Sequence, residues 1–479
     1  MFKKFIVYFF LYILTVGIIL SVYFLAPNEN YNFPFLRFII VSFATILLIK
    51  YFIYMVISPW YDAVLAYRKR KMLKTGGFKE KVSVLVPARN EETGVLLTIR
   101  ALLESTYKNL EIIVIDNAST DNTYDNVKAL IKDYENSIEG SSENNIKIVC
   151  LKEKTPGKGH ALNKGISRAK GEIIISIDAD CFVPPDTIEN FVNHFQDPKV
   201  MAAVGNVKIG NTQTILGVVQ YLEFLFSFYF KKCDSILGSI YIIGGAAGAF
   251  RKSIFKEIGG YSVTNITEDI DLTFRIQYAG FKIVYAEDAV VYTEGASDLK
   301  SLMKQRLRWK RGRLQTFMDY QPMFFSTNKI HKKFLSWFIL PLAIFGDMQL
   351  FMELFFIIFV YIYSYLTNDY SSFLSGIIVV TSMFMVQILF DRRVKKRARL
   401  LILAPIGWLL FYASTFVEFS ALIKTFMSYL KKEEVEWQVW KREGVFAEEP
   451  KEQIILSRDE MILSKEDVFL SKDNLNLMK

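Results

Sequence analysis

Three runs of branched apolar residues constrain this chain more than any other feature. They are Val82-Ser-Val-Leu-Val-Pro87, Glu111-Ile-Ile-Val-Ile-Asp116 and Glu172-Ile-Ile-Ile-Ser-Ile-Asp178. As strands they present apolar side chains on both faces, which suits only a sheet covered on both sides. The stretch after the first run has helical spacing, with Leu96, Leu97, Ile99, Leu102 and Leu103 following Glu91-Glu92-Thr93. Acidic residues at a helix start complement its dipole. Residues 146–151 and 200–209 read as further strands. This alternation predicts an α/β domain with a mostly parallel sheet. Such sheets bind ligands at the carboxyl ends of their strands. Asp116 and Asp178 stand at two of those ends.

The strand-rich unit, about residues 79–320, lies between strongly apolar regions. Apolar residues make up 52% of the 479, and the mean hydropathy is +0.23. Phe5 to Ala26 carries no charge and is long enough to cross ~30 Å of hydrocarbon. Phe38 to Ser58, Met348 to Leu366 and Ser372 to Phe390 read as three further spans. Residues 334–345 read as interfacial, and 400–427 as either one span or a re-entrant hairpin broken at Pro405 and Gly407. The expected organisation is therefore two transmembrane helices in 1–60, the strand-rich α/β domain in 79–320, C-terminal membrane helices in 334–428 and a charged tail in 429–479. The net charge of +9 sits largely in clusters such as Arg68-Lys69-Arg70-Lys71 and Arg392–Arg399. Positive-inside logic turns these clusters, and the domain between them, to the cytoplasm of a multi-pass plasma-membrane protein in contact with the lipid bilayer. Nucleic acid is not implied. Three scattered Cys and three scattered His argue against a zinc site. The tail carries three Leu-Ser-Arg/Lys-Asp/Glu repeats at Leu456, Leu463 and Leu470, a spacing that suits a short amphipathic helix.

Several constellations carry chemistry. Asp178-Ala-Asp180 puts two carboxylates on one face of an extended chain. They suit Mg2+ or Mn2+ bridging phosphate oxygens, or an acidic turn. Asp116 can accept from a base N–H or a ribose hydroxyl, or open an Asx turn. Lys158, in Thr155-Pro-Gly-Lys-Gly-His-Ala-Leu-Asn163, can reach a phosphate, although no Walker A loop is present. Gly244-Gly245-Ala246-Ala247-Gly248 lacks dinucleotide-fingerprint spacing but permits close approach of a ligand to the backbone. Thr267-Glu268-Asp269 offers a general base or a helix-terminal acid. Lys304-Gln-Arg-Leu-Arg-Trp-Lys-Arg-Gly-Arg313 is either a basic juxtamembrane helix or an arginine set over a pyrophosphate beside the aromatic Trp309.

In this order, Pro87-Ala-Arg-Asn-Glu91, Asp116, Asp178-Ala-Asp180, Thr267-Glu-Asp269 and Gln305-Arg-Leu-Arg308-Trp309 resemble the processive family 2 glycosyltransferases of membranes. That group makes hyaluronan, chitin oligosaccharides, cellulose and poly-N-acetylglucosamine, and the last branch is the most similar in look. In that branch Trp309 is usually followed by a small residue and then Gln or Arg, whereas here Lys310-Arg311-Gly312 follows. The resemblance implies a GT-A fold set between N- and C-terminal transmembrane helices. It implies transfer of a sugar, N-acetylglucosamine from its UDP donor, to a growing polysaccharide passed through the membrane. It assigns the nucleotide-sugar to Pro87, Glu91, Asp116, Lys158, Asp178 and Arg308. It assigns the divalent cation to Asp180, the base to Asp269, and the acceptor to Glu268, Gln305 and Trp309. Export or accessory membrane proteins are further implied partners. Two other functions fit parts of the pattern: a non-processive transferase acting on a lipid-linked acceptor, and a non-catalytic scaffold of an export complex.

Overall fold

The computed structural model describes residue 51 and residues 53–72, 79–138, 146–368, 370–391 and 397–431. Helix α1 (Trp60–Met72) precedes β1 (Val82–Ala88), α2 (Gly94–Leu103), β2 (Leu110–Asn117), α3 (Thr123–Ile138), β3 (Lys147–Glu153), α4 (Lys158–Arg168) and β4 (Ile173–Ile177). The chain continues through β5 (Cys181–Phe182), α5 (Thr187–His194), β6 (Val200–Ile209), α6 (Ile215–Leu237), β7 (Ala247–Arg251), α7 (Ile254–Ile258), α8 (Glu268–Tyr278) and β8 (Lys282–Thr293). Helices α9 (Leu299–Asp319), α10 (Leu340–Thr367), α11 (Ser371–Phe390), α12 (Arg397–Leu403) and α13 (Gly407–Leu430) complete the described elements.

The strands form one eight-stranded sheet in the order β3-β2-β1-β4-β7-β6-β8-β5. β3, β2, β1 and β4 are mutually parallel, with Ala88 beside Asp116 and Leu85 beside Ser176. β7 runs against both β4 and β6, β6 and β8 are parallel, and β5 is antiparallel to β8. This register aligns the carboxyl ends of β1, β2 and β4, so the loops after Ala88, Asn117 and Ile177 meet at one edge. Val82, Val84, Leu85 and Val86 of β1, like Ile173, Ile174 and Ile175 of β4, are wholly buried. Helices therefore cover both faces, which is why these strands need no polar alternation. The architecture is an α/β domain on one mixed sheet whose β3, β2, β1 and β4 are parallel.

The expected flanking transmembrane helices do not materialise among the described residues. Among the described residues no helix is long and apolar enough to cross a membrane. The expected spans Met348–Leu366 and Ser372–Phe390 fall within α10 and α11, and residues 400–427 become α12, a 3-10 turn Ala404–Ile406 and α13. Part of the apolar content of these helices is spent on packing, while Met348, Phe355, Ile358, Tyr365 and Leu366 of α10 stay exposed. Leu340, Met383 and Val386 bury against Tyr229, Phe274 and Phe317, while Phe384 and Ile388 bury against Tyr221 and Leu225. Their charged residues are anchors: Asp347 of α10 and Glu418 of α13 pair with basic residues of α9. The multi-pass placement expected from the sequence is thereby overturned. Residues 334–345, read as interfacial, form the π turn Leu335–Ile339 and the first turns of α10. The expected span Phe5–Ala26, most of Phe38–Ser58 and the repeat-bearing tail lie outside the described residues.

Candidate active site

At the carboxyl edge of the sheet the loops are laced together by short polar side chains. Asn90 and Ala118, after β1 and β2, both take positive φ, 55° and 53°. The Asn90 amide N–H donates to Ser119 Oγ (3.1 Å) and its Oδ1 accepts from the Thr120 amide (2.8 Å). The Glu91 amide N–H donates to Thr123 Oγ1 at 2.8 Å. Non-glycine residues in this conformation are strained and persist where the surroundings over-determine them. Beneath these loops Asp116 is buried, and neither carboxylate oxygen has a hydrogen-bond partner among the described residues. Its neighbour Asn117 reaches across, donating to the Thr155 carbonyl (2.8 Å) and accepting from the Gly157 amide (2.7 Å). It thereby fixes the start of α4, where Lys158 stands.

Lys158 Nζ forms an ion pair with Asp178 and lies 3.7 Å from Glu268. Burial alone would depress its ammonium, but Asp178, Glu268 and Asp269 outweigh burial and hold it well above the usual lysine range. The segment carrying Asp178 and Asp180 is gripped from α2: the Thr98 hydroxyl lies 2.9 Å from the Ala179 carbonyl oxygen and 2.7 Å from that of Cys181.

Asp269 sits in the first turn of α8. Its Oδ2 accepts from the Gly245 amide (2.9 Å) and its Oδ1 from the Ile270 amide (2.9 Å). The glycine-rich loop is laid over α8 by two further bonds, from the Ile243 amide to Thr273 Oγ1 (3.0 Å) and from Gln277 Nε2 to the Ile240 carbonyl (2.6 Å). A Cβ at 245 would stand 2.6 Å from Lys158 Nζ, so a larger residue there would push the lysine from this position. Glu268 is buried, and burial together with Asp269 raises its carboxyl above the ordinary range against the pull of Lys158 and Arg308. Helix α9 meets this turn through Gly312, where a Cβ would fall 2.1 Å from Thr267 Oγ1. Asn265 Nδ2 donates to Thr316 Oγ1 at 3.0 Å beside it.

A cavity of about 890 Å³ joins these parts. Pro87, Glu91, Lys158, Asp178, Asp180, Glu268, Asp269, Gln305, Arg308 and Trp309 all line it. Asp116 does not line it, although the next residue, Asn117, does. Sequence reasoning missed a stripe on α6, Glu223, Phe224, Ser227, Phe228 and Lys231, which lines the same cavity. Its spacing of three and four residues was a readable helical signal. Burial lowers the Lys231 ammonium below its usual range, and its Nζ donates to the Ile242 carbonyl at 3.1 Å. Glu418 was also missed, and no local pattern marks it.

Residues 83–259 match Glycosyl transferase family 2. Residues 173–420, just over half of the chain, match Glycosyl transferase family group 2. The chain belongs to this glycosyltransferase family. As a glycosyltransferase it is 30% identical over 252 residues to a poly-beta-1,6-N-acetyl-D-glucosamine synthase of Staphylococcus aureus, covering 52% of this chain and 58% of that one. It is 32% identical over 263 residues to the synthase of the same name from Staphylococcus epidermidis, covering 54% and 60%. The transferase thus spans about three fifths of the length of these curated relatives. Among solved structures, the mannosyltransferase PcManGT of Pyrobaculum calidifontis, in complex with GDP-Man and Mn2+, is 19% identical. It covers 80% of this chain and 99% of its own, with a TM-score of 0.48. The first part of Staphylococcus aureus TarS, in complex with UDP, is 15% identical, covers 75% and 94%, and has a TM-score of 0.37.

Proposed function

We propose that this glycosyltransferase is an inverting polymerase that adds N-acetylglucosamine from UDP-N-acetylglucosamine to a growing β-linked glycan, keeping hold of the chain between additions. One observation carries the reading: the Asp269 carboxylate, fixed by the Gly245 amide, shares a single cavity with Lys158, Asp178, Asp180 and Trp309. A base, a diphosphate site and an aromatic sugar platform then serve one reaction. The similarity to synthases named for poly-beta-1,6-N-acetyl-D-glucosamine supports the choice of sugar.

The Asp116 carboxylate, buried beside the cavity and short of partners, would meet the N–H of a uracil ring or a ribose hydroxyl entering beside Pro87 and Glu91 once the loops after β1 and β2 part. Asp178 contacts the nucleotide end of the donor. Lys158 and Arg308 face the diphosphate, and Lys158 exchanges its protein carboxylate partners for phosphate oxygens as the donor enters. Asp269 accepts the proton of the attacking acceptor hydroxyl as the new bond to the anomeric carbon forms and the bond to the diphosphate breaks. One such displacement turns an α-linked donor into a β-linkage. Glu268, Gln305 and Trp309 hold the acceptor sugar.

The described residues contain no group of three or more His, Cys, Asp or Glu able to enclose a metal. Asp178 and Asp180 fit a different site, since Mg2+ is commonly held by one or two carboxylates and completed by substrate phosphates and water. Asp180, with Asp178 beside it, would hold Mg2+ or Mn2+, which when bound supplies Lewis-acid neutralisation of the departing diphosphate.

The test is product sizing after incubation with labelled UDP-sugars and Mg2+ or Mn2+. Long polymer from UDP-N-acetylglucosamine alone is the expected result, abolished by chelator and restored by added metal. A product extended by one sugar on a lipid-linked acceptor overturns processivity, and full activity in chelator overturns the metal role.

A further inference from the structure

We propose that Arg306 is a positioning residue for the acceptor: its guanidinium, locked by two carboxylates, braces the Trp309 indole. The inference rests on the reading of Trp309 as the acceptor platform. Arg306 and Trp309 are three residues apart on α9 and hence neighbours on its surface. The guanidinium carbon lies 4.4 Å from the indole centroid. Its Nη2 donates to Glu223 Oε2 of α6 at 2.8 Å, and its Nε lies 3.2 Å from Glu418 Oε1 of α13. Arg306 is only 3% exposed. A planar guanidinium held at both edges cannot swing, so its face stays against the ring, a contact that lysine's rounded ammonium does not reproduce.

A purely structural role explains less. Lys310 and Arg313, one and two turns further along α9, already tie it to α13 through Glu418 and to α10 through Asp347. What Arg306 adds is the indole contact and the link to α6. Phe224, one residue after Glu223, stands 6.4 Å from the same indole. The ring is therefore approached by α6 and by its own helix, and Arg306 bonds to both α6 and α13.

The experiment uses the full chain with UDP-N-acetylglucosamine and a β-linked N-acetylglucosamine oligosaccharide, measuring KM for each and UDP binding separately. Arg306→Lys keeps the charge and loses the plane. The acceptor KM should rise about tenfold, the scale of a desolvated cation–π contact. Donor KM and UDP binding should stay within about twofold, as for an independent site. Trp309→Ala should raise the acceptor KM as well, and Arg306→Lys added to it should change little further. An unchanged acceptor KM for Arg306→Lys beside a raised one for Trp309→Ala overturns the inference alone. Full multiplication of the two effects in the double variant also overturns it, because Arg306 would then act through the scaffold. An unchanged acceptor KM for Trp309→Ala removes the platform itself, and the inference falls with it. If Arg306→Lys loses UDP binding, Glu223→Gln gives the same comparison with the same expected rise.

Discussion

Asp116 and Asp269 show how differently two carboxylates of one site can be kept. Asp269 is satisfied by two amide N–H groups before any substrate arrives. Its replacement by Asn keeps an acceptor for one of these two amides and, on the proposed reading, removes the proton acceptor. Asp269→Asn should retain UDP binding and lose ~10²-fold or more of transfer activity, the usual worth of a general base. Turnover near that of the parent would remove Asp269 from the base role. Asp116 is the reverse case, buried with no partner for either oxygen among the described residues. A buried acceptor left unmet costs about 1–3 kcal/mol. Asp116→Asn should therefore stabilise the unliganded protein by ~1 kcal/mol while weakening UDP binding about tenfold or more, since bonds to charged groups carry ~1.5–3 kcal/mol. Melting curves with and without UDP check both halves. A variant that melts lower and still binds UDP normally would contradict this account. Neither contrast was visible in the sequence, where both residues are simply acids beside apolar runs. What distinguishes them is the glycine-rich loop, which reaches one and not the other.

Among the elements, the strands with unbroken apolar runs were legible, as were β3 and β6, while β5, β7 and β8 were not. β1, β2 and β4 announce themselves because both of their faces are covered. β8 hides because Glu287 and Asp288 interrupt it, and each is answered from elsewhere, by Lys232 at 2.6 Å and by His194 at 2.9 Å. β7 (AGAFR) hides behind small residues that look like a continuation of the glycine loop. The helices after residue 334 misled for a related reason: hydropathy counts apolar residues without knowing that another core of the same chain covers part of them. β2 also carries a buried acid at its amino end. Glu111 accepts from Ser83 Oγ of β1 (2.6 Å) and from the Lys170 amide before β4 (2.6 Å), with Lys81 at 3.3 Å. Burial alone would raise its carboxyl, but these partners overcome that and lower it beneath the ordinary 4.5. A depressed carboxyl stabilises the fold above its unfolded value and loses that contribution as pH falls through the folded value. The melting temperature should hold near neutrality and fall below about pH 4.5. Glu111→Gln should cost about 2 kcal/mol at pH 7 and flatten the acid side of that profile. An unaltered profile would place the acid sensitivity elsewhere.

On the scale of the whole molecule, the transferase domain and the C-terminal helices are joined by a charged seam. Arg306, Lys310 and Arg313 share one face of α9 and meet Glu223, Asp347 and Glu418, carried by three different helices. Lys310, which departs from the pattern of the poly-N-acetylglucosamine branch, is thereby accounted for, and so is Arg311, which donates to Ser428 Oγ at 3.1 Å. Without Glu418, Lys310 keeps Asp347 and Arg306 keeps Glu223, but each loses a bond to a charged group, worth about 1.5–3 kcal/mol. Glu418→Ala should lower unfolding stability by about 3 kcal/mol, measured by denaturant titration. A change below ~0.5 kcal/mol would mark the seam as incidental. Glu418 also has a consequence in time. It lies far beyond Trp309 in the chain, yet both line one cavity. Translation proceeds at ~5–20 residues per second and domains fold as they emerge. The part of the cavity built from β1, β4 and α8 is thus made seconds before its Glu418 wall exists. On the proposed reading, a chain that ends before α13 should still bind UDP while failing to transfer sugar, so activity would wait for the last described helix.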